Sequence, residues 1–131
     1  MVSTLPLLPN LERASILTEK IRDYALNPNH PKGRDKARVF KAVLGIEQKH
    51  ADAFAETIRG TLPRAYAEKQ KQDQFGTRWA THHEIAGLTG KSAIVTVAWI
   101  YKAEAPDIPV LVSCYIDLER QAALAGLLGL R

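Results

Sequence analysis

Residues 93–101 read Ala93-Ile94-Val95-Thr96-Val97-Ala98-Trp99-Ile100-Tyr101 and contain only β-branched, aromatic and alanine residues. Side chains of the first two kinds favour strands, and a continuous apolar run is typical of a strand that is buried on both faces. We therefore predict a central β-strand over Ala93–Tyr101. Trp99 and Tyr101 are expected in the core, with a base-stacking role for these rings as the alternative.

Strand-like segments lie on both sides of this run. Residues 75–85 alternate between apolar and polar side chains with the period of a half-buried strand, and Leu88-Thr89-Gly90-Lys91 is typical of a hairpin turn. After a loop over residues 104–109, a third strand is predicted over Val110–Ile116. One predicted face of the strand over residues 75–85 carries Phe75, Trp79 and Ile85. The opposite face carries Arg78, His82 and Glu84.

The first half of the chain has helical periodicity. Apolar spacings of three and four predict a helix from Asn10 that ends at Asn27-Pro28, because the residue before proline is pushed out of the α region. A second helix is predicted from Asp35, as its capping residue, to Gly45. A third is predicted over residues 47–59, ended by Gly60. Residues 63–74 are polar and are expected to form a short helix or a loop.

The order of these elements predicts the fold class. Helices followed by a run of strands, without β-α-β alternation, indicate an α+β protein. The expected architecture is a set of N-terminal helices packed on a small antiparallel β-meander of three or four strands, with a short C-terminal helix over residues 119–128.

Composition is that of an ordinary globular protein. Hydrophobic residues make up 46% of the 131 residues and charged residues 24%, which predicts a single domain over residues 1–131. Residues 117–131 are expected to form an apolar C-terminal tail. Cys114 is the only cysteine, so we expect no intrachain disulfide and a buried, inert thiol. Residues 1–10 lack the basic segment of a signal peptide, and no apolar run reaches the ~20 residues of a membrane span, so a cytoplasmic protein is expected.

The positive charge of the chain is concentrated in residues 30–41. This segment holds five Lys or Arg and one Asp, and its net charge of +4 equals that of the whole chain. A turn-rich loop that leads into a basic helix attracts phosphate or another anion. The predicted anion-binding residues are Lys32, Arg34 and Lys36, and the alternative is a solvated basic face.

His30 is the histidine that we select as a catalytic candidate. It lies between Pro28 and Pro31 beside these cations, which favour the neutral imidazole that acts as a general base. The alternative left open is a turn hydrogen bond and nothing more. His82 and His83 are adjacent and point to opposite strand faces, so they cannot bind one metal ion together. We expect no metal site and no cofactor.

Two further candidates lie on the predicted strands. Arg78 is expected to stabilise the negative charge of a pentacoordinate phosphate, and Tyr115 to donate a proton, with Ser113 on the same face. The alternative for Arg78 is an ordinary exposed strand position.

Several short segments also carry a family resemblance. The clearest reads Tyr24-Ala25-Leu26-Asn27-Pro28-Asn29-His30-Pro31-Lys32-Gly33-Arg34-Asp35-Lys36-Ala37, and is followed by Phe40 and by Leu44-Gly45. Together with residues 75–79, 98–100 and 111–115, it resembles an uncharacterised bacterial domain family of unknown function, over a core of residues 20–116. Members of that family occur free-standing and at the C-termini of large secreted polymorphic toxins. The positions that the resemblance singles out are His30, Lys36, Gly76, Arg78, Trp99 and Tyr115.

The order of helices and meander is similar to that of metal-independent ribonuclease toxins of the colicin D and RelE kind, which is a likeness of fold alone. The first functional hypothesis is therefore a ribonuclease-like toxin domain in which His30 is the base, Lys36 and Arg78 hold the phosphate and Tyr115 donates a proton. The alternatives are a non-catalytic module that binds RNA or an acidic partner protein, and an immunity-type or accessory protein that assembles through its apolar tail. The sequence predicts no oligomeric state.

Overall fold

The computed structural model describes residues 6–127, and over this range the chain is an α+β protein, as predicted. Helical segments occupy the first half of the described chain, a four-stranded antiparallel sheet follows, and a short helix comes last. Part of the predicted apolar tail, residues 128–131, lies outside the described residues.

The sheet is a meander in the order β1-β2-β3-β4. Its strands are β1 (Tyr66–Asp73), β2 (Gly76–Ala86), β3 (Ser92–Lys102) and β4 (Pro109–Ile116). The expectation of a short helix or loop over residues 63–74 was wrong. Residues 69–72 are exposed lysine and glutamine side chains, so β1 lacks an apolar alternation, and its strand conformation comes from pairing with β2 at the edge of the sheet.

The predicted first helix is only partly present. One 3₁₀ turn covers Leu11–Arg13, and helix α1 (Thr18–Lys20) continues into a π-helical turn over Ile21–Ala25. Between them Ser15 pairs with β4: its N–H donates to Pro109 O at 2.8 Å, and its carbonyl accepts from Leu111 N at 2.9 Å. The extended segment thus covers the edge of β4 and satisfies backbone groups that a helix would leave unpaired.

Helix α2 (Arg34–Leu44) matches the prediction, and Gly45 ends it in the left-handed conformation with φ 69°. Asp35 does not cap the helix through its side chain, because the N-cap position is Gly33; Asp35 pairs instead with Arg38, the carboxylate lying 3.1 Å from the guanidinium. Helix α3 (Ala51–Thr61) runs through Gly60, which was expected to end it.

The helices cover one face of the sheet. Phe40 of α2, Phe54 of α3, and Val97 and Trp99 of β3 are buried in one core, which confirms the prediction for Trp99, and Trp79 packs against it half-buried. Phe75 does not share that face, since it lies in the β1–β2 turn with 62% of its surface exposed. A register shift between β3 and β4 leaves Val112 opposite no β3 residue and exposed.

The opposite face of the sheet is polar, and helix α4 (Leu118–Leu127) follows β4 beside it. One row across the four strands consists of Tyr66, His82, Thr96 and Tyr115, which are register partners and therefore share a face. Gln121 attaches α4 to the sheet by accepting a hydrogen bond from Ile94 N at 2.7 Å. Within residues 6–127, none of the helices has both the length and the apolar character that a bilayer crossing requires.

Candidate functional site

The segment between the π-helical turn and α2 is a compact turn built around His30. Its Nδ1 accepts hydrogen bonds from the backbone N–H groups of Lys32 and Gly33, both at 3.0 Å. The proton of the neutral ring must then lie on Nε2, so His30 offers a donor and not a base at its outer nitrogen. A base role needs the opposite tautomer and the loss of both turn hydrogen bonds.

Gly33 lets the start of α2 approach the π-helical turn Ile21–Ala25 closely. A Cβ at this position would collide with the backbone carbonyl of Tyr24. Glycine is therefore required there by close approach, although its φ is negative. This contact brings the tyrosine ring beside the basic helix.

Lys36 lies half-buried between two tyrosine rings. Its Nζ is 4.9 Å from the ring centroid of Tyr24, 5.9 Å from that of Tyr115, and 3.4 Å from Ser113 Oγ. The ring of His30 stacks on Tyr24 with centroids 4.6 Å apart. We call these five residues, Tyr24, His30, Lys36, Ser113 and Tyr115, the Lys36 cluster.

The Lys36 ammonium has no ion-pair partner within the described chain. No carboxylate of residues 6–127 lies within 4.0 Å of the Lys36 ammonium. Burial, and then the nearby Asp117, raise the pKa of Tyr115, so its phenol stays protonated at neutral pH. The cluster thus presents one ammonium and several hydroxyl and N–H donors, a set that suits an anion.

The structure divides the residues that the sequence proposed. His30, Lys36 and Tyr115 come together in the Lys36 cluster. Lys32 is exposed on the turn. Arg78 lies on the polar face of β2, where its Nη1 contacts Asp73 Oδ2 at 2.9 Å. With strands about 4.8 Å apart, the Arg78 backbone is about 12 Å from that of Ser113, two strands away.

Arg34 lies on the other side of α2. It lines a cavity of about 560 Å³ between α2 and the 3₁₀ turn Gln48–His50. We call this cavity the basic pocket, and its lining consists of Leu26, Pro28, Arg34, Ala37, Arg38, Lys41, Glu47, Gln48 and Lys49.

A second polar constellation, which sequence reasoning missed, surrounds His82 on the sheet. Its Nε2 is 2.6 Å from Glu68 Oε1, and its Nδ1 is 2.9 Å from Thr96 Oγ1. Arg120 of α4 donates to the same Glu68 oxygen at 2.8 Å, and Thr96 donates to Asp117 at 3.0 Å. We call these residues, Glu68, His82, Thr96, Asp117 and Arg120, the His82 network.

The only sequence signal for the His82 network was the polar alternation of β2. Glu68 belongs to a strand that looked like a loop, and Arg120 to a helix 52 residues further along the chain, so nothing local in the sequence links them.

Metal and thiol chemistry find little support in the described residues. Between residues 6 and 127, the structure brings no three His, Cys, Asp or Glu side chains together as a metal site. Cys114 is buried, as predicted, and burial raises the pKa of its thiol to about 12. A thiol of that kind is inert as a nucleophile.

Comparison with known proteins places the chain in a family. The family model described as "Domain of unknown function (DUF6883)" matches residues 7–118. The chain therefore belongs to this family, and the prediction of an uncharacterised domain family is confirmed. In the searches of curated proteins and of solved structures, no match was found.

Proposed function

We propose that this DUF6883 domain binds RNA through a phosphate held at the Lys36 cluster and cleaves the bound strand without a metal ion, as a ribonuclease-like toxin domain. The observation that carries the proposal is the half-buried Lys36 ammonium, which has two tyrosine rings and a serine hydroxyl around it and no carboxylate partner among residues 6–127.

The surroundings of Lys36 favour an anion over a simple solvated lysine. A half-buried ammonium has lost part of its hydration, and neither a ring face nor a 3.4 Å hydroxyl contact replaces a carboxylate. A phosphodiester restores that interaction, and the exposed ring of Tyr115 offers a surface on which a base of single-stranded RNA stacks.

The reaction is a transesterification within the RNA. The 2′-oxygen attacks the neighbouring phosphorus, the O2′–P bond forms, and the P–O5′ bond breaks to give a 2′,3′-cyclic phosphate and a 5′-hydroxyl. Lys36 and the Nε2–H of His30 stabilise the added charge on the phosphate oxygens. Tyr115, whose raised pKa keeps it protonated, gives its proton to the 5′-oxygen.

The proton of the 2′-hydroxyl leaves to solvent in this scheme, because His30 Nδ1 is occupied by two backbone donors. The cleavage rate then rises with pH until Tyr115 begins to lose its proton. A base role for His30 gives a different profile, with a plateau once the imidazole is neutral.

The test compares Lys36→Ala with Lys102→Ala, which removes the same charge from an exposed position on β3. A fluorescent RNA is incubated with each protein in EDTA, and cleavage rate, end groups and affinity are measured. We expect Lys36→Ala to lower the rate by about 10²–10³-fold, and Lys102→Ala to leave it unchanged. Equal rates for the two variants, or a requirement for metal, contradict the proposal.

Expression in bacteria provides the toxin arm of the test. The intact protein should arrest growth, and Lys36→Ala should relieve the arrest. His30→Asn is the sharper variant at the turn, because its side-chain oxygen can still accept from the turn while the outer N–H donor is lost. Harmless expression with intact RNA pools overturns the toxin role.

A non-catalytic binding module is the second candidate, and the hydrogen bonds at His30 Nδ1 favour it, since they remove the expected base from the site. The same assay separates the two. RNA binding that weakens in Lys36→Ala and in high salt, without any cleavage, identifies a docking surface for RNA.

A further inference from the structure

The two sides of α2 present different chemistry. Arg34 and Lys36 are two residues apart, so they project about 200° apart around the helix axis. Lys36 contacts Tyr24 and Tyr115, whereas Arg34 lines the basic pocket. The pocket is therefore a second site and not an extension of the Lys36 cluster.

The walls of the basic pocket are fixed by hydrogen bonds. Glu47 and His50 form a reciprocal capping box at the 3₁₀ turn, with Glu47 N donating to His50 Nδ1 at 2.9 Å. Gln48 Nε2 donates to Arg22 O at 2.9 Å and holds the 3₁₀ turn against the π-helical turn Ile21–Ala25. The cavity is thus preformed, and its volume lies within the range of about 300–1,000 Å³ typical of small-ligand sites.

Charge and polarity divide the pocket into a rim and a floor. Arg34, Arg38, Lys41 and Lys49 face a single lining carboxylate, Glu47. Lys41 pairs with that carboxylate at 3.7 Å and Arg38 pairs with Asp35. Arg34 lies on the α2 wall of the pocket and Lys49 on the wall formed by the 3₁₀ turn. Neither takes part in an ion pair within residues 6–127.

The floor of the pocket is apolar. The side chains of Leu26 and Ala37 are buried beneath it, and Pro28 lies beside them. An inorganic ion uses the cationic rim and leaves this floor uncovered. A ligand that combines an anion with a flat, weakly polar ring uses both, and arginine guanidinium planes stack on such rings.

We propose that the basic pocket binds a nucleotide of the RNA strand, with its phosphate between Arg34 and Lys49 and its base on the apolar floor. This inference rests on the proposed function, because the strand whose phosphate lies at the Lys36 cluster supplies the nucleotide. A helix with its side chains is about 10–12 Å across, so one short oligonucleotide reaches both sides of α2. The Lys36 cluster positions the cleaved bond, and the basic pocket holds a flanking nucleotide.

The test uses nucleoside 5′-monophosphates as probes, with the matching nucleosides and inorganic phosphate as controls. Binding is followed by chemical-shift changes of the backbone amides in residues 26–49. The variant is Arg34→Ala with Lys49→Ala, and the matched control is Lys91→Ala with Lys102→Ala, which removes two exposed charges elsewhere. We expect mononucleotide affinity to fall about tenfold or more in the pocket variant only.

The RNA assay then separates this inference from the function on which it rests. For a short RNA, KM should be higher in the pocket variant, with little change in kcat. The slope of log affinity against log salt concentration should become shallower by about 0.7 for each phosphate contact that is lost. If the intact protein binds mononucleotides but does not cleave RNA, the cleavage proposal is wrong and the pocket proposal is retained.

Three outcomes overturn the pocket proposal. The first is nucleoside binding as tight as mononucleotide binding, because the rim then contributes nothing. The second is inorganic phosphate that competes as well as a nucleotide, because the floor then contributes nothing. The third is an acidic peptide that displaces the probe more strongly than RNA does, which identifies a protein-docking surface.

Discussion

Two neighbouring histidines lie on opposite faces of the sheet, and each is enclosed by hydrogen-bond partners. His83 points from β2 into the core, where it contacts Thr61 of α3 and its exposed fraction is 1%. The His82 side chain, with 9% exposed, lies on the polar face. The hydrogen-bond partners on the two faces require different numbers of protons on the same type of side chain.

On the core face, a neutral ring satisfies every partner. Thr61 Oγ1 donates to Thr57 O at 2.9 Å, so it accepts from His83 Nδ1–H at 2.6 Å. Thr81 accepts from Trp99 Nε1–H at 2.8 Å and donates to His83 Nε2 at 2.7 Å. Burial, with smaller effects of His82 and Arg64, lowers the pKa of His83 from 6.5 to about 4.

On the polar face, a neutral ring does not satisfy its partners. Thr96 gives its only hydroxyl proton to Asp117, whose pKa is lowered, against the effect of its burial, by the Arg120 N–H and by Thr96. His82 Nδ1 must therefore donate to Thr96. The 2.6 Å contact of Nε2 with Glu68 needs one further proton, and Arg120 donates to the same Glu68 oxygen at 2.8 Å. The hydrogen-bond pattern therefore predicts that this proton lies on His82 and that the ring is paired with the Glu68 carboxylate.

The difference teaches that burial alone does not set the charge of a side chain. Hydroxyls that can both donate and accept stabilise a neutral ring, whereas carboxylates at the end of the chain of hydrogen bonds stabilise a charged one. The core face contributes mainly through packing and the polar face mainly through its charges. The predictions below test that division.

The largest effect is expected in the core. Trp99→Ala removes a fully buried indole and leaves the Thr81 hydroxyl without its donor, which should lower the free energy of unfolding by about 3–5 kcal/mol. Trp99→Phe keeps most of the packing and should cost less, and Trp79→Ala, at a half-buried position, less again. Chemical denaturation measures all three, and a Trp99→Ala protein with an unchanged melting point contradicts the assignment of the core.

Much of this core could be predicted from the sequence. The period of two in residues 75–85 and the apolar run 93–101 predict β2 and β3, and the spacing of Ala37 and Phe40 predicts α2. These patterns are visible because each element buries one stripe of its own residues.

The polar face and the candidate site could be predicted only in part. The sequence indicated His30, Lys36 and Tyr115 as candidate site residues. That they lie close together depends on Tyr24 and on the close approach at Gly33. Glu68 lies in an edge strand without an apolar pattern, and the extended pairing of Ser15 replaced a helical spacing. Contacts between distant segments decide these features, and a local pattern does not contain them.

The second prediction concerns pH and the core histidine. The pKa of His83 is about 4 in the folded protein and 6.5 in its ordinary state, so the unfolded chain binds the proton first as the pH falls. The contribution of the neutral His83 ring to stability is therefore fully present above pH 6.5. The free energy of unfolding should decrease by about 3 kcal/mol between pH 6.5 and pH 4. Unfolding free energies are measured by denaturant titration across this range.

His83→Gln is the control for this dependence, because glutamine keeps one donor and one acceptor but does not titrate. Its stability should vary less with pH than that of the intact protein. Asp73 and Asp117, whose pKa values are lowered below 3.8, lose their contribution only at lower pH. The same pH dependence in both proteins shows that His83 is not the source.

The smallest effect is expected on the polar face, where Glu68 is about one-third exposed and solvent screens its charge. A double-mutant cycle with His82→Phe and Glu68→Gln at pH 7 should give a coupling energy of about 1–2 kcal/mol. Nitrogen NMR of the imidazole rings supplies the decisive measurement, since His82 should be protonated on both nitrogens while His83 is protonated only on Nδ1. Additive mutations together with a neutral His82 ring would mean that Glu68 carries the shared proton, and the two faces would then bury their histidines in the same charge state.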